Sequence, residues 1–213
     1  NEQKQQVKLA QQRYIVAISM QTKNPLENLK SVDLSHLSKE EAKEFTLLLE
    51  ELEKREKRES SMASFYDFVQ TIWPEFIAGA HHKKMAEAFD KIANGESNMP
   101  PRHTKSEFAS YLFPAYLLGK RPKLKIIEAT HTADLAINFG RRVRDLIESD
   151  DYAEIFPATQ LKADSRSAGK WTTSQGGEYY ASGIGGALAG RGADLFIIDD
   201  PHSEQDAFSD KAL

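Results

Sequence analysis

Two short stretches carry residue types that could act on a bound anion. In "MPPRHTKSEF", Lys105 and Ser106 stand at the start of an apolar helical pattern. A phosphate loop works because backbone N–H groups and a helix N-terminus converge on the anion. A lysine then reaches the outer phosphates and a hydroxyl holds Mg²⁺. The general pattern G-x-x-x-x-G-K-[ST] would place glycines at Met99 and Thr104, and neither is present. Thr104 is the more serious departure, because a β-branched residue tolerates positive φ poorly and crowds the approaching phosphate. In "LFIIDDPHS", four apolar residues lead to Asp199 and Asp200. A buried strand would deliver both acids to its C-terminal end, where ligands bind in open α/β sheets. One carboxylate there can anchor Mg²⁺ through its water shell, and its neighbour can orient an attacking water. Strand-end aspartates also cap turns, a reading helped by Pro201. Together the two stretches supply both halves of an Mg-ATP site.

The elements that must position these residues fall into two textures. Residues 1–62 are rich in Gln, Lys and Glu, contain no glycine, and read as a helical arm. One helix is expected in "QQVKLAQQRYIVAISMQ", stopped before Asn24-Pro25. Another is expected in "LSKEEAKEFTLLLEELEKREKRES", opened by a Ser38/Glu41 capping box and carrying a Phe45, Leu48, Leu49, Leu52 stripe. Residues 63–213 alternate helix and strand. "SFYDFVQTIWPEF" is helical up to Trp73, and "HHKKMAEAFDKIANG" is a helix closed by Gly95. "SEFASYLFPAYLLG" continues as a helix after the candidate loop, and "KLKIIEAT" is an apolar strand. "TADLAINFGRRVRDLIES" is a helix with Leu135, Phe139, Val143 and Leu146 inward. "KWTTSQGGEYYASG" is a hairpin turned on Gly176-Gly177, and "ADLFIIDDP" is a buried strand. This order predicts an α/β fold with a mostly parallel sheet flanked by helices on both faces.

Composition bounds the function. With 28 Lys and Arg against 32 Asp and Glu, net charge is −4, so a DNA-coating protein is not indicated and any DNA contact must be local or assembled from several copies. There is no cysteine, which removes disulfides and thiolate metal sites. No apolar run approaches the length of a membrane span.

"MPPRHTKSEFAS", "IIEATHTADLAINFGRRVRDLI" and "GIGGALAGRGADLFIIDDP", in that order, resemble the ATPase domain of the large terminase subunit of tailed double-stranded DNA bacteriophages. The resemblance spans roughly residues 65–208, and the branch is the one whose loop reads Pro-Pro-Arg-His-Gly-Lys-Ser. It implies a P-loop NTPase of the ASCE type that hydrolyses ATP to drive double-stranded DNA into a procapsid. The implied partners are DNA, bound weakly in isolation, the portal protein, the small terminase subunit and further copies in a ring, a pentamer when docked on the portal. The implied location is the host cell cytoplasm during virion assembly, with no membrane partner.

Carried over by position, residues Pro101, Arg102, His103, Thr104, Lys105 and Ser106 would form the phosphate loop. Lys105 would contact the outer phosphates, Ser106 and Asp199 the Mg²⁺, and Asp200 would take the place of a catalytic glutamate. Arg102 would sense the γ-phosphate, or else form a surface salt bridge. A transition-state arginine is also implied, with Arg141, Arg142, Arg144 and Arg191 as candidates. The helix arginines read equally well as a basic face or a DNA contact, and the glycines flanking Arg191 serve backbone positioning on their own. His82 or His81, with Trp73 and Phe76 for stacking, would meet the adenine, although each histidine reads more simply as a surface residue. As helix neighbours the two are expected to point to different faces. His131 would line the site, or cap a helix alongside Thr132.

Two departures stand out. Thr104 replaces the branch's loop glycine, and no apolar run precedes Pro100 to supply the strand that should feed the loop, which suggests missing residues between Gly95 and Pro100. Nothing after Pro201 offers the acid cluster of a two-metal nuclease, so DNA cutting is not expected. Two rival readings follow: a helicase-like DNA-dependent ATPase, and a non-enzymatic assembly module with a degenerate nucleotide loop.

Overall fold

The computed structural model describes residues 38–95, 106–186, 188 and 190–202. The expected helix in "QQVKLAQQRYIVAISMQ" lies outside them. The chain divides into two compact units, residues 1–58 and 59–213.

Helix α1 (Lys39–Ala63) starts where its capping box predicts. The Ser38 N–H donates to Glu41 Oε2 at 2.9 Å and the Glu41 N–H donates back to Ser38 Oγ at 3.3 Å, satisfying donors the first turn would leave orphaned. Phe45, Leu48, Leu49 and Leu52 are half-buried.

In the second unit, helices α2 (Phe65–Ile72) and α3 (Ala80–Ala93) come first. A π-helical segment, Glu107–Leu112, then runs without a break into α4 (Phe113–Lys120). The sequence predicts one regular helix here; the difference has a local cause. Pro114 lies within the run, where it has no N–H for the preceding turn and its ring crowds a carbonyl. The widened turn falls immediately before it. Strand β1 (Lys125–Thr130), α5 (Ala133–Ile147), α6 (Asp150–Ile155), β2 (Leu161–Arg166), β3 (Lys170–Thr173), β4 (Glu178–Gly183) and β5 (Leu195–Ile198) follow. The sequence reading had not marked β2 or α6, both short and largely polar.

The five strands form one sheet in the order β2-β3-β4-β1-β5. This sheet is mixed, which corrects the expectation of a mostly parallel one. β1 runs parallel to β4 and β5, whereas β2/β3 and β3/β4 are antiparallel. Loop length explains the difference. Residues 167–169 and 174–177 are the whole of the two connections, and links that short can only reverse the chain. Gly176, at φ +94°, supplies the turn expected at that hairpin.

Helix α5 packs on β4 and β1. Its inward positions Ala136, Phe139, Val143, Leu146 and Ile147 are buried, while Leu135 is half-buried. The approach depends on Gly140: a Cβ there would lie 2.7 Å from the Ala168 carbonyl oxygen and 3.0 Å from the Tyr179 ring. Trp171 stacks on Tyr179 with centroids 4.9 Å apart and donates its indole N–H to the Gly140 carbonyl. Beyond this layer lies an aromatic core centred on Phe65, whose ring centroid is 5.1–5.6 Å from those of Phe89, Phe108, Phe113 and Tyr116. Such contacts combine large buried area with favourable edge-on geometry. The opposite face is not closed at β5, where Phe196 and Ile198 remain 50% and 54% exposed. Among the described residues, the expectation of cover on both faces is therefore not met at this edge strand.

Candidate functional site

The helical run that begins at Ser106 meets the acidic strand end beside the C-terminal ends of β1 and β5. Strand β5 is pinned to β1 at this end by two backbone hydrogen bonds. The Asp199 N–H donates to the Ala129 carbonyl and the His131 N–H donates to the Asp200 carbonyl, both at 3.0 Å. Asp199 is half-buried and Asp200 exposed. Asp200 also has a left-handed backbone, φ +44°, and is the only described non-glycine residue with positive φ. Aspartate tolerates this region better than most residues, and such conformations gather at functional sites. The turn re-aims the chain immediately after the strand, so the two adjacent carboxylates need not follow the alternating pleat.

The other half approaches from the π-helical segment. Half-buried Ser106 caps its N-terminus, and one turn on, the Ser110 hydroxyl donates to Asp199 Oδ2 at 3.1 Å. That bond joins residues 89 positions apart and sets the π-helical segment against the strand-end acid. Pro101, Arg102, His103, Thr104 and Lys105 lie outside the described residues, as does the stretch before Pro100.

Arg142 is committed locally. Its guanidinium makes a bidentate pair with Glu107, Nη1 to Oε1 at 2.8 Å and Nη2 to Oε2 at 2.6 Å, and lies 4.1 Å from the Tyr111 ring centroid. The planar fork thus clamps α5 to the first turn of the π-helical segment, a geometry lysine cannot reproduce. Arg144 pairs with Asp145, Arg141 is exposed, and Arg191 lies 3.9 Å over the Tyr180 ring.

His82 is used in the fold. Its Nδ1 accepts from the Gly79 N–H at 3.0 Å, at the start of α3. Its ring packs on Phe76 at 4.8 Å, and Phe76 in turn meets Trp73 at 5.2 Å. Burial and the neighbouring His81 lower its pKa, which suits a neutral ring accepting at Nδ1. The expectation that the two histidines point apart is not met: their ring centroids are 3.8 Å apart. At a helix start the side chains are not yet held by a preceding turn, which allows both rings to fold toward Gly79. Thr132 caps α5 by accepting from the Leu135 N–H, and His131 beside it is exposed.

The structure adds a residue that the sequence reading passed over. Glu128, in the middle of β1, is fully buried, and neither carboxyl oxygen accepts a hydrogen bond. Burial pushes its pKa well above the usual carboxylate range; the Ser110 hydroxyl pulls the other way, and the charge of Asp199 adds to the rise. Tyr179 Oη is likewise buried without a partner. A glutamate inside "KIIEAT", flanked by apolar residues on both sides, was the available signal.

Among the described residues no group of three or more His, Asp or Glu side chains is arranged to hold a metal. Mg²⁺ bound with a nucleotide does not need one: it keeps several waters and takes one or two carboxylates plus phosphate oxygens. A half-buried carboxylate oriented by a serine at a strand end, as Asp199 is by Ser110, fits that requirement. No described helix is long and apolar enough to cross a membrane. Comparison of the chain with family models, curated proteins and solved structures gave no match.

Proposed function

We propose that this chain is the ATP-hydrolysing motor domain of a viral DNA-packaging terminase, with residues 101–106 as its phosphate loop. The observation that carries the reading is the Ser110–Asp199 hydrogen bond, which brings the helix following Lys105-Ser106 onto the acid at the end of β5. A P-loop fold of the ASCE type is supported by the parallel trio β4-β1-β5, with β3 and β2 as an antiparallel extension. The order of three sequence stretches, loop, strand–helix and acidic strand, supports the terminase assignment.

In this reading Lys105 and the loop N–H groups hold the phosphates, Arg102 reads the terminal one, and Asp200 orients the attacking water. Ser106 and Asp199 would hold Mg²⁺, which when bound would supply charge neutralisation on the phosphate oxygens. Because Arg142 is clamped to Glu107, its role here is to fix the helix after the loop. The transition-state arginine is then sought at Arg191, at Arg141 or on a neighbouring copy. Double-stranded DNA, the portal protein, the small terminase subunit and a homo-oligomeric ring are the partners this function requires.

The test is Mg²⁺-dependent ATP hydrolysis as a function of protein concentration, with Lys105→Ala as control. Turnover that rises more steeply than concentration and disappears in the variant supports a motor completed by its neighbour. Folded protein with no Lys105-dependent turnover and no nucleotide binding would sink the reading. A second reading, an assembly module with a disabled loop, is favoured by one observation: β5 is the edge of the sheet among the described residues and leaves Phe196 and Ile198 exposed. Nucleotide binding without turnover would select it.

A further inference from the structure

Arg142 has the residue type for phosphate chemistry, yet its guanidinium is engaged by a carboxylate. The partner, Glu107, directly follows Ser106 at the start of the π-helical segment. Two bonds of 2.8 and 2.6 Å join the fork to both carboxyl oxygens. The guanidinium carbon lies 4.1 Å from the Tyr111 ring centroid and 5.9 Å from that of Phe139, so a ring from each of the two helical elements flanks it. Holding the segment in place does not require this pair. Phe108, Ser110 and Leu112 already bury its inner side, with Phe108 edge-on to Phe65 at 5.6 Å and Ser110 bonded to Asp199. Side chains that are 36% exposed, as both partners are, contribute little to stability through an ion pair.

What packing cannot supply is charge. A carboxylate in the first turn suits the helix dipole, but it repels an anion bound at the same helix end. At the effective dielectric of a partly exposed site, an unneutralised unit charge about one helical turn from a phosphate weakens its binding on the order of tenfold. A bidentate guanidinium cancels that charge and fixes the carboxylate on α5. We propose that Arg142 is a positioning residue that acts through Glu107: it neutralises the carboxylate beside Ser106 and so keeps this helix start open to a triphosphate. In return, Glu107 holds the guanidinium off the phosphates. The proposal rests on the ATPase reading, since the anion is the nucleotide; the ion pair itself is in the structure. Arg142 touches neither nucleotide nor Mg²⁺. Its effect is on affinity, and the catalytic step belongs to other groups.

The test is equilibrium titration of the full chain with Mg²⁺ and the β,γ-methylene analogue of ATP, in the parent, Arg142→Met, Glu107→Gln and the double variant. Methionine keeps a long apolar stem against Tyr111 and Phe139 but leaves Glu107 charged. Arg142→Met is expected to bind about tenfold more weakly or worse, and Glu107→Gln as tightly as the parent or more so. The double variant has neither the ion pair nor its charges, and is expected to return to within about threefold of the parent. That rescue is the signature of neutralisation. Urea unfolding of the same variants shows that each is folded.

Equal weakening in all three variants would make the pair a mechanical brace and overturn the proposal. Weak binding by Arg142→Met that Glu107→Gln does not restore would overturn it too, by making Arg142 a direct phosphate ligand. Unchanged affinity in Arg142→Met would do the same, and loss of kcat alone would mark a transition-state group. In each of these cases the parent binds nucleotide and the ATPase reading survives. A parent that binds none would remove that reading and this proposal together. If Arg142→Met does not fold, Glu107→Gln decides alone: binding equal to or tighter than the parent supports neutralisation, and binding about tenfold weaker refutes it.

Discussion

A glutamate kept neutral inside the sheet makes stability depend on pH in a defined direction. Glu128 has its pKa raised in the fold, mainly by burial, with Asp199 on β5 adding to the rise and Ser110 on the π-helical segment opposing it; Tyr179 on β4 carries no charge at neutral pH. In the unfolded chain the same group ionises near its ordinary value of about 4.3. Between those two values the unfolded state releases a proton that the folded state keeps. The stability that Glu128 contributes is therefore fully present below the unfolded value and is lost as pH rises through the folded one. Linkage gives the slope inside that window: about 1.4 kcal/mol per pH unit for one proton.

Glu128→Gln removes the titration and leaves volume and shape nearly unchanged. Urea unfolding of both proteins at several pH values from 5 to 8 measures the difference directly. Other groups with shifted pKa values, such as Asp67 and His82, contribute to both proteins and cancel. The variant should gain on the parent by about 1.4 kcal/mol with each pH unit, and the gain should level off where Glu128 finally ionises in the fold. A difference that stays flat across the range would show that Glu128 is ionised in the native protein.

Three further outcomes are expected. Asp200→Asn keeps the left-handed turn, since asparagine tolerates it equally well, and should leave the urea midpoint unchanged while lowering kcat by a factor on the order of 10²–10⁴; loss of stability without a selective loss of kcat would assign Asp200 to the turn alone. Arg142→Lys preserves charge but not the bidentate pair with Glu107 or the flat contact with Tyr111; discounting for the 36% exposure of both side chains, it should cost about 1 kcal/mol in urea unfolding, and a neutral result would show that the clamp is not needed. Gly140→Ala places a methyl 2.7 Å from the Ala168 carbonyl oxygen, so it should lower stability by about 1–3 kcal/mol, and unchanged thermal unfolding would show that α5 can lift away from β4 without penalty.

Periodicity made much of the helical layer legible. Ala136, Phe139, Val143 and Leu146 recur at the spacing of one helix face, and the Ser38/Glu41 pair marks the start of α1 by side-chain chemistry alone. The sheet was legible only in part. The reversal at Gly176-Gly177 could be read from its turn residues, but β2, "LKADSR", alternates only over Leu161 to Asp164 before turning wholly polar, too short a signal to announce it. Its place in the sheet comes from pairing with β3, which is a tertiary fact. The π turn was hidden for a similar reason: a proline in an apolar run signals a break, not the wider ladder by which this chain avoids one.

The acids show the same division between what spacing announces and what only packing decides. Asp199 and Asp200 end an apolar strand, so their position was readable. Their difference was not, because a hydroxyl from 89 residues away holds one, while the other takes a left-handed backbone with its carbonyl accepting from the His131 N–H. Glu128 is the opposite case. Its neighbours Ile127 and Ala129 point to one face of β1, where a charged side chain on the other could have been solvated. Burial of Ile126 and Thr130 beside it leaves it no water, so the surrounding structure must either keep its proton or find it a cation. The described residues bring no cation to it. They bring a serine whose hydroxyl proton is already engaged with Asp199, so the proton is what Glu128 keeps.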